Sequence, residues 1–485
     1  MRVATLRPLR RSSCGLVACG AVFAAAWPRV ASAADAGPGL GASLPVWSAL
    51  PFVGMLLSIA FLPFIARSVW KHHYATVAAG WTISLLLPLV ASYGVAATRA
   101  VVHMAASGYL PFVILLGALY TIGGGIRLTG RLHGSPGVNL AFLAVGTLLA
   151  SLIGTTGAAI VLIRPLLHAN RRRTNRAHTV AFFIFLVANI GGGLTPLGNP
   201  PLFLGFLNGV PFFWTLSLWR QTLFTVAVLL SVYATLDVVL WRRERLATAT
   251  IETRPDEPLR IEGAHNLLFL LGAMSAVLVS GIWHAGEVSL LGVSLAVQDL
   301  VRDGLLLAMA AGSWWTTRPE TREANRFTWE PMREVAVLFA AIFVTIIPVL
   351  EMLRSGAHGP FGAVSGAART PTRLFWACGG LSSFLDNAPT YLAFLSAAVG
   401  TFHPLLPARE AVARLVAEHP IYLQAISTGA VFMGANTYIG NAPNFMVRAI
   451  AEEEGVPMPS FFGYMLRYTV PFLIPTFAFV TWIFF

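Results

Sequence analysis

The sequence predicts an all-α polytopic membrane protein made of two inverted repeats. Each repeat has five transmembrane helices and one re-entrant hairpin, with broken helices at the midplane. Of the 485 residues, 56% are hydrophobic and only 11% are charged, against roughly 25% charged in soluble domains. The apolar runs are long and do not alternate in polarity, which excludes a soluble globule, a disordered chain and the strands of an outer-membrane barrel. Two interrupted apolar segments with matching sequences predict the repeat.

Residues 1–33 have the pattern of a secretory signal peptide. Four arginines lie in the first eleven residues, an apolar stretch runs from Cys14 to Trp27, and Ala31-Ser32-Ala33 forms a cleavage site before Ala34. The apolar stretch is too short to cross a bilayer, although an uncleaved first helix is the alternative interpretation. Cleavage would leave the mature N-terminus in the periplasm.

Basic loops assign the sides of the membrane. The formal net charge is +12, and we attribute it to cytoplasmic loops rather than to a nucleic-acid partner. The first repeat spans residues 34–240, and a polar stretch at 241–264 is a cytoplasmic linker to the second repeat at 265–485. The predicted crossings of the first repeat are Val46–Ala66, Val77–Ala97, Tyr109–Ile126, His178–Leu207 and Trp214–Leu240.

The apolar segment Val138–Leu167 is flanked by arginines on both sides, which places both ends in the cytoplasm. Two full crossings would need ~40 residues, so the segment predicts a re-entrant hairpin. Its tip would be Gly154-Thr155-Thr156-Gly157. A bent backbone at that depth is tolerated only inside protein or beside a water-filled cavity.

The second repeat has the opposite orientation. A second interrupted hairpin is predicted at Arg373–Gly400, broken between Ser382 and Thr390. The predicted crossings are Asn266–Trp283, Leu300–Trp315, Val335–Leu353, Ile421–Ile450 and Phe462–Phe485. The C-terminus would therefore lie in the periplasm.

Two of these crossings are interrupted by glycine and proline, which no continuous helix tolerates at such density. Thr195-Pro196-Leu197-Gly198-Asn199-Pro200-Pro201-Leu202-Phe203 aligns with Thr437-Tyr438-Ile439-Gly440-Asn441-Ala442-Pro443-Asn444-Phe445, and Thr, Gly, Asn, Pro and Phe coincide. A hairpin precedes each. An odd number of crossings per repeat makes the copies inverted, which is typical of secondary transporters with midplane sites.

Breaks of this kind expose carbonyl oxygens that coordinate cations and helix N-termini that suit anions. The candidate substrate or ion ligands are Thr155, Thr156, Thr195, Asn199, Asp386, Asn387, Thr437 and Asn441. A Na⁺ site is predicted at Asp386, Asn387, Asn199 and Asn441. Interhelical hydrogen bonding is the alternative role for each threonine and asparagine.

Asp386 lies at the predicted tip of the second hairpin, where burying a carboxylate is costly unless it serves a function. It could bind Na⁺ when charged and carry a proton when neutral, or it could simply cap the helix that follows. Glu351 is a further candidate for a proton path. Asp237 falls near the inner end of its span and is predicted to be interfacial.

The two aligned segments and Phe384-Leu385-Asp386-Asn387-Ala388-Pro389-Thr390 resemble the ion transporter superfamily from about residue 46 to the end. The nearest branch contains bacterial sodium:proton antiporters, including the NhaD type, and citrate transporters. The resemblance implies inverted repeats, opposed hairpins, an elevator-like motion and a homodimer. Dicarboxylate transporters of that superfamily carry Ser-Asn-Thr at both tips; here Gly154-Thr155-Thr156 and Leu385-Asp386-Asn387 replace it.

The sequence therefore predicts a secondary transporter of the bacterial inner membrane, with Na⁺/H⁺ antiport as the first expectation. Cation-coupled symport of citrate or a related carboxylate is the alternative. Partners would be the lipid bilayer, a small cation and a proton, or a small carboxylate. No cofactor is expected beyond Na⁺ as transported or coupling ion. No phosphate-binding loop or metal-ligand cluster suggests an enzyme.

Overall fold

A computed structural model describes residues 43–247, 257–290, 293–361 and 370–485. The predicted signal peptide at 1–33 lies outside these residues. In the described part of the chain, six helices are long and apolar enough to cross a membrane. The number rises to seven if one bent pair, Glu330–Thr345 and Ile347–Arg354, forms a single span. The chain is thus a mostly helical, multi-pass membrane protein.

Eight helices form the first half of the described chain. They are α1 (Leu50–Ile65), α2 (Arg67–His103), α3 (Leu110–Gly123), α4 (Pro136–Ile153), α5 (Thr155–Ala169), α6 (Ala177–Leu186), α7 (Pro200–Leu207) and α8 (Trp219–Ala247). Proline lies in the first turn of α1, α3, α4 and α7. It is well placed there because its missing N–H would have no helical partner.

Twelve helices follow in the second half of the described chain. They are α9 (Asn266–Ile282), α10 (Val297–Thr316), α11 (Pro319–Ala324), α12 (Glu330–Thr345), α13 (Ile347–Arg354), α14 (Pro371–Ser382), α15 (Asn387–Phe402), α16 (Ala408–Glu418), α17 (Pro420–Met433), α18 (Ala442–Glu453), α19 (Phe461–Tyr464) and α20 (Ile474–Phe484). Every predicted crossing overlaps at least one of the helices of the two halves. Helix α10, which carries the buried Arg302, is not among the candidate spans.

The segment between the second and third predicted crossings is helical. A π-helical segment, Met104–Tyr109, joins α2 directly to α3. The regular helix is interrupted earlier, at Gly94, where φ is 52°. Only glycine adopts that conformation readily, because a side chain would clash with the backbone. The sequence did not indicate this position as the break.

Four short strands were not predicted. Strand β1 (Arg127–Arg131) pairs antiparallel with β2 (Glu257–Glu262), and β3 (Glu287–Leu290) pairs with β4 (Val293–Ala296). Strand β2 lies in the stretch interpreted as a linker, so part of that stretch is ordered against the first half.

Helices α4 and α5 form a helical hairpin around Gly154, where φ is 78°. The two open ends lie side by side: Gly134 N donates to Ala169 O at 2.9 Å, and the amides of Asn139 and Asn170 exchange two hydrogen bonds. The hairpin geometry is therefore as predicted. Because α4 alone is long enough to be a candidate span, re-entry into the membrane stays a prediction.

Both interrupted crossings are broken where predicted. Helix α6 ends at Leu186 and α7 begins at Pro200, with a short 3-10 turn, Ile190–Leu194, between them. Helix α17 ends at Met433 and α18 begins at Ala442, with a 3-10 turn at Gly434–Asn436. The glycines and prolines explain both breaks.

Loops predicted for one side of the membrane lie together at one end of the molecule. Ion pairs there join Arg164 and Arg326 to Glu453, and Arg171 to Glu454. At the other end, Arg409 pairs with Asp299, and the Thr372 hydroxyl donates to the Phe485 carbonyl. Loops predicted to share a side of the membrane are thus in contact at each end.

Candidate functional site

One cavity of about 100 Å³ brings together both hairpin tips and both breaks. Its polar and backbone lining comes from four separate segments. These are Gly154–Gly157 of the first tip, Pro196–Pro200 of the first break, Asp386 of the second tip and Asn441–Pro443 of the second break. The remaining lining is largely apolar and includes Phe112, Phe203 and Phe339. Segments from distant parts of the sequence thus share one site.

Four helix N-termini meet at this cavity. The N-cap residues of α5, α7, α15 and α18 are Gly154, Asn199, Asp386 and Asn441, and all four line it. Only Asp386 caps its helix with a side chain; the other three N-termini have no side-chain cap. Each uncapped end carries roughly half a positive charge. The described residues that line the cavity include no lysine or arginine.

The two halves hold their breaks with matching hydrogen bonds. The Thr195 hydroxyl donates to the Ser151 carbonyl, and the Thr437 hydroxyl donates to the Ser383 carbonyl at 2.5 Å. In return, the Ser151 hydroxyl donates to Gly191 O and the Ser383 hydroxyl to Met433 O. Thr195 and Thr437 therefore tie each break to its hairpin and do not line the cavity. The alternative role of interhelical bonding applies to both.

The matching extends to a third segment in each half, the 3-10 helix Phe212–Leu218 and the π-helix Met465–Leu473. Thr215 donates to Leu194 O at 3.0 Å, and Thr469 donates to Asn436 O at 2.7 Å. Leu194 and Asn436 occupy equivalent positions, because each immediately precedes the first threonine of its aligned segment. Each break is therefore bonded on both sides by equivalent groups.

Residues 41–485 match the family described as putative citrate transport. The chain belongs to that family. No curated protein is found to match it. Membership of this citrate transport family indicates a secondary transporter rather than an enzyme. The broader resemblance to citrate transporters is thus confirmed, while the specific likeness to NhaD-type antiporters is not.

In this citrate transport family protein, Asp386 is the acidic group of the cavity. It is half-buried, and its carboxylate accepts a hydrogen bond from Ala388 N at 2.9 Å. Asp386 therefore caps the N-terminus of α15, which was the alternative role considered for it. One carboxylate oxygen is used by the cap, and the side chain also lines the cavity.

The predicted asparagine ligands are close together and partly engaged. Asn387 Nδ2 donates to Asn199 Oδ1 at 3.1 Å, and Asn441 Nδ2 donates to Ala188 O at 3.0 Å. Asn387 Oδ1 is buried, and no described residue donates to it. Such an amide oxygen would suit a cation. Thr155, Thr156, Asn199 and Asn441 all line the cavity as candidates.

Asn189 was missed by the sequence analysis. It is fully buried between the two breaks: its Nδ2 donates to Asn444 Oδ1 at 2.7 Å, its Oδ1 accepts from Asn441 Nδ2, and its carbonyl accepts from Asn199 Nδ2. This side chain therefore joins the two halves. An amide two residues before three consecutive glycines in an apolar run was the signal available.

Two acidic residues lie elsewhere. Glu351 is outside the cavity lining and pairs with Arg354 at 3.4 Å. Asp237, which was expected at the interface, is completely buried. Arg173, His178 and Asn139 surround it at 2.5 to 3.1 Å. Its partners come from two other helices and a loop, which a linear sequence does not reveal. The interfacial depth expected for Asp237 stays a prediction.

Proposed function

We propose that this protein is a cation-coupled symporter of citrate or a related carboxylate that works by alternating access. The observation that carries the proposal is the meeting of four helix N-termini around one cavity. Helix ends of this polarity stabilise anions. The absence of lysine and arginine from the described lining does not oppose an anionic substrate, because backbone N–H groups can supply the donors. The family description favours the same substrate class.

Asp386 supplies a physical reason for coupling. A negative carboxylate beside a bound carboxylate substrate would repel it strongly in a partly desolvated cavity. Binding of the substrate therefore requires Asp386 to be neutralised, by a proton or by a cation such as Na⁺. The substrate and the coupling ion would then bind together and cross the membrane in the same direction, as symport requires.

We further propose that the chain contains two inverted repeats, each with five crossings and a re-entrant hairpin. Equivalent hydrogen bonds in the two halves support this architecture. Thr195 and Thr437 make one equivalent pair of bonds, and Thr215 and Thr469 make the other. The hairpins and breaks would move together as one body, since these bonds join them. The inner membrane, periplasmic termini and a homodimer complete the proposal.

Na⁺/H⁺ antiport is the second candidate function. Asp386 favours it, because it offers a carboxylate to a cation in the cavity. Next to it in sequence, Asn387 has a buried Oδ1 to which no described residue donates, but Asn387 does not line the cavity. In this case Na⁺ and H⁺ would compete for Asp386, and no organic substrate would be needed. Glu351 would have no evident part, since it faces Arg354.

Transport by purified protein in liposomes separates the two candidates. Symport predicts uptake of radiolabelled citrate that depends on an inward Na⁺ or proton gradient and is absent from protein-free liposomes. Antiport predicts Na⁺-driven proton movement, followed with an internal pH dye, without any citrate. Proton movement with no uptake of citrate or of smaller carboxylates would contradict symport.

A further inference from the structure

We infer that His403, Glu418 and His419 form a binding site for a divalent transition metal, separate from the central cavity. His403 is the C-cap of α15, Glu418 ends α16, and His419 stands between α16 and α17. Their ligand atoms all lie within 4.8 Å of one another. Two imidazoles and one carboxylate are a typical ligand set for zinc and related metals.

The spacing of the ligand atoms fits a metal with little adjustment. His403 Nε2 and Glu418 Oε2 are 3.6 Å apart. Two ligands of a tetrahedral zinc, each at roughly 2.0–2.2 Å, are separated by about 3.4 Å. At 3.6 Å the pair is too far apart for a good hydrogen bond. A metal between the two atoms would bring both to normal bonding distance.

His403 has a ring nitrogen near Glu418 that makes no hydrogen bond with a described residue. Its Nε2 is shielded from solvent. Its side chain is 13% exposed, whereas that of Glu418 is 43% exposed. A buried polar nitrogen without a partner costs free energy, and a bound metal would remove that cost. The exposed Glu418 would leave access for the ion.

Neighbouring groups hold the other two ligands in place. The Phe402 ring stacks on the His419 ring with centroids 4.1 Å apart, and Tyr422 contacts the same imidazole edge-on. Arg414 donates to Glu418 Oε1 at 3.1 Å, which leaves Oε2 toward His403. Ligands that are oriented by surrounding contacts bind metals more tightly.

The site is distant from the cavity. Asp386 begins α15 and His403 ends it, and 16 residues of helix separate them, which corresponds to roughly 24 Å. A metal here would link the C-terminal end of α15 to α16. Helix α16 is also joined to α10 by the ion pair between Arg409 and Asp299. The metal would therefore restrain the second hairpin without touching the substrate.

Metal titration of the full-length protein in detergent, after removal of metals with a chelator, tests the inference. We expect one Co²⁺ to bind, with visible absorption bands that Zn²⁺ abolishes, and we expect Zn²⁺ to raise the thermal unfolding temperature. His403→Gln and His419→Gln should each lose at least the roughly 10–100-fold in affinity that is typical for partners of metal ligands.

Two variants make the test specific. His284→Gln changes an exposed histidine in another loop and should bind Co²⁺ as the unmodified protein does. Asp386→Asn should also keep the Co²⁺ spectrum, so the result is independent of the proposed transport function. Absence of one-to-one binding in the unmodified protein, or an unchanged spectrum in His403→Gln, would overturn the inference.

Discussion

Single threonine hydroxyls connect each break to its hairpin. Thr195 and Thr437 both donate to a serine carbonyl that would otherwise be buried without a partner. Sequence reasoning placed both threonines at the site because they occupy the same position in the aligned segments. The sequence could not show whether these threonines bind the substrate or make structural hydrogen bonds, because that depends on the orientation of each hydroxyl.

Replacing Thr437 with valine should therefore loosen the second break. The change keeps the shape of the side chain but leaves the Ser383 carbonyl unpaired, at a cost of ~1–3 kcal/mol. We expect a lower thermal unfolding temperature. Thr235→Val is the matched control, because the Thr235 hydroxyl is exposed and bonds only to its own helix at Ser231 O. Equal loss of stability in both variants would refute the fastening role.

At the scale of elements, the positions of the breaks followed from glycine and proline alone. Helices α6, α7, α17 and α18 begin and end close to where those residues predicted. The sequence did not predict the interruption at Gly94 or the continuous helix through Met104–Tyr109. A single glycine in an apolar run is common within helices, and its conformation is set by neighbouring helices. The short strands were also missed, because their pairing joins residues that are far apart in sequence.

Close backbone contact within the second break gives a prediction for Gly440. A methyl group there would lie 2.5 Å from Gly434 O and 2.7 Å from Ser382 O, which is too close for either backbone atom to yield easily. Gly440→Ala should separate the break from the hairpin tip and abolish transport. Gly380→Ala, where a methyl group meets no atom within 4 Å, should retain it. Normal citrate uptake by Gly440→Ala in liposomes would show that the contact is not required.

At the scale of the whole molecule, charge patterning predicted which loops share a side of the membrane, and the topology itself stays a prediction. Loops assigned to one side do lie together, and Glu453 and Glu454 connect them through Arg164, Arg171 and Arg326. The shared cavity could be expected in outline, because both hairpins and both breaks were predicted. The convergence of four helix N-termini could not, since it depends on how the two halves pack.

Glu454 should make stability depend on pH. Burial raises its pKa, but a hydrogen bond from Arg171 and the charges of His168, Arg171 and Arg164 outweigh burial and hold the pKa below its usual 4.5. The stabilisation is therefore present above about pH 4.5 and is lost as pH falls through the lowered value. Glu454→Gln should unfold at a lower temperature than the unmodified protein at neutral pH.

That difference should shrink as the solution is acidified below about pH 4.5, the usual pKa of this group. Thermal unfolding in detergent across this range measures it. Glu410→Gln, which alters an exposed glutamate on α16, serves as the control and should show little change at any pH. A difference between Glu454→Gln and the unmodified protein that stays constant on acidification would contradict the assigned charge effect.

The most direct measurement of the proposed coupling compares Asp386→Asn with the unmodified protein in two liposome assays. Asparagine can still cap α15, so the helix should be retained, but the charge that excludes substrate is gone. We predict that the variant exchanges citrate across the membrane without a cation requirement and no longer accumulates it against a gradient. Glu351→Gln should behave as the unmodified protein does. Uphill citrate uptake by Asp386→Asn with an unchanged cation dependence would contradict the account.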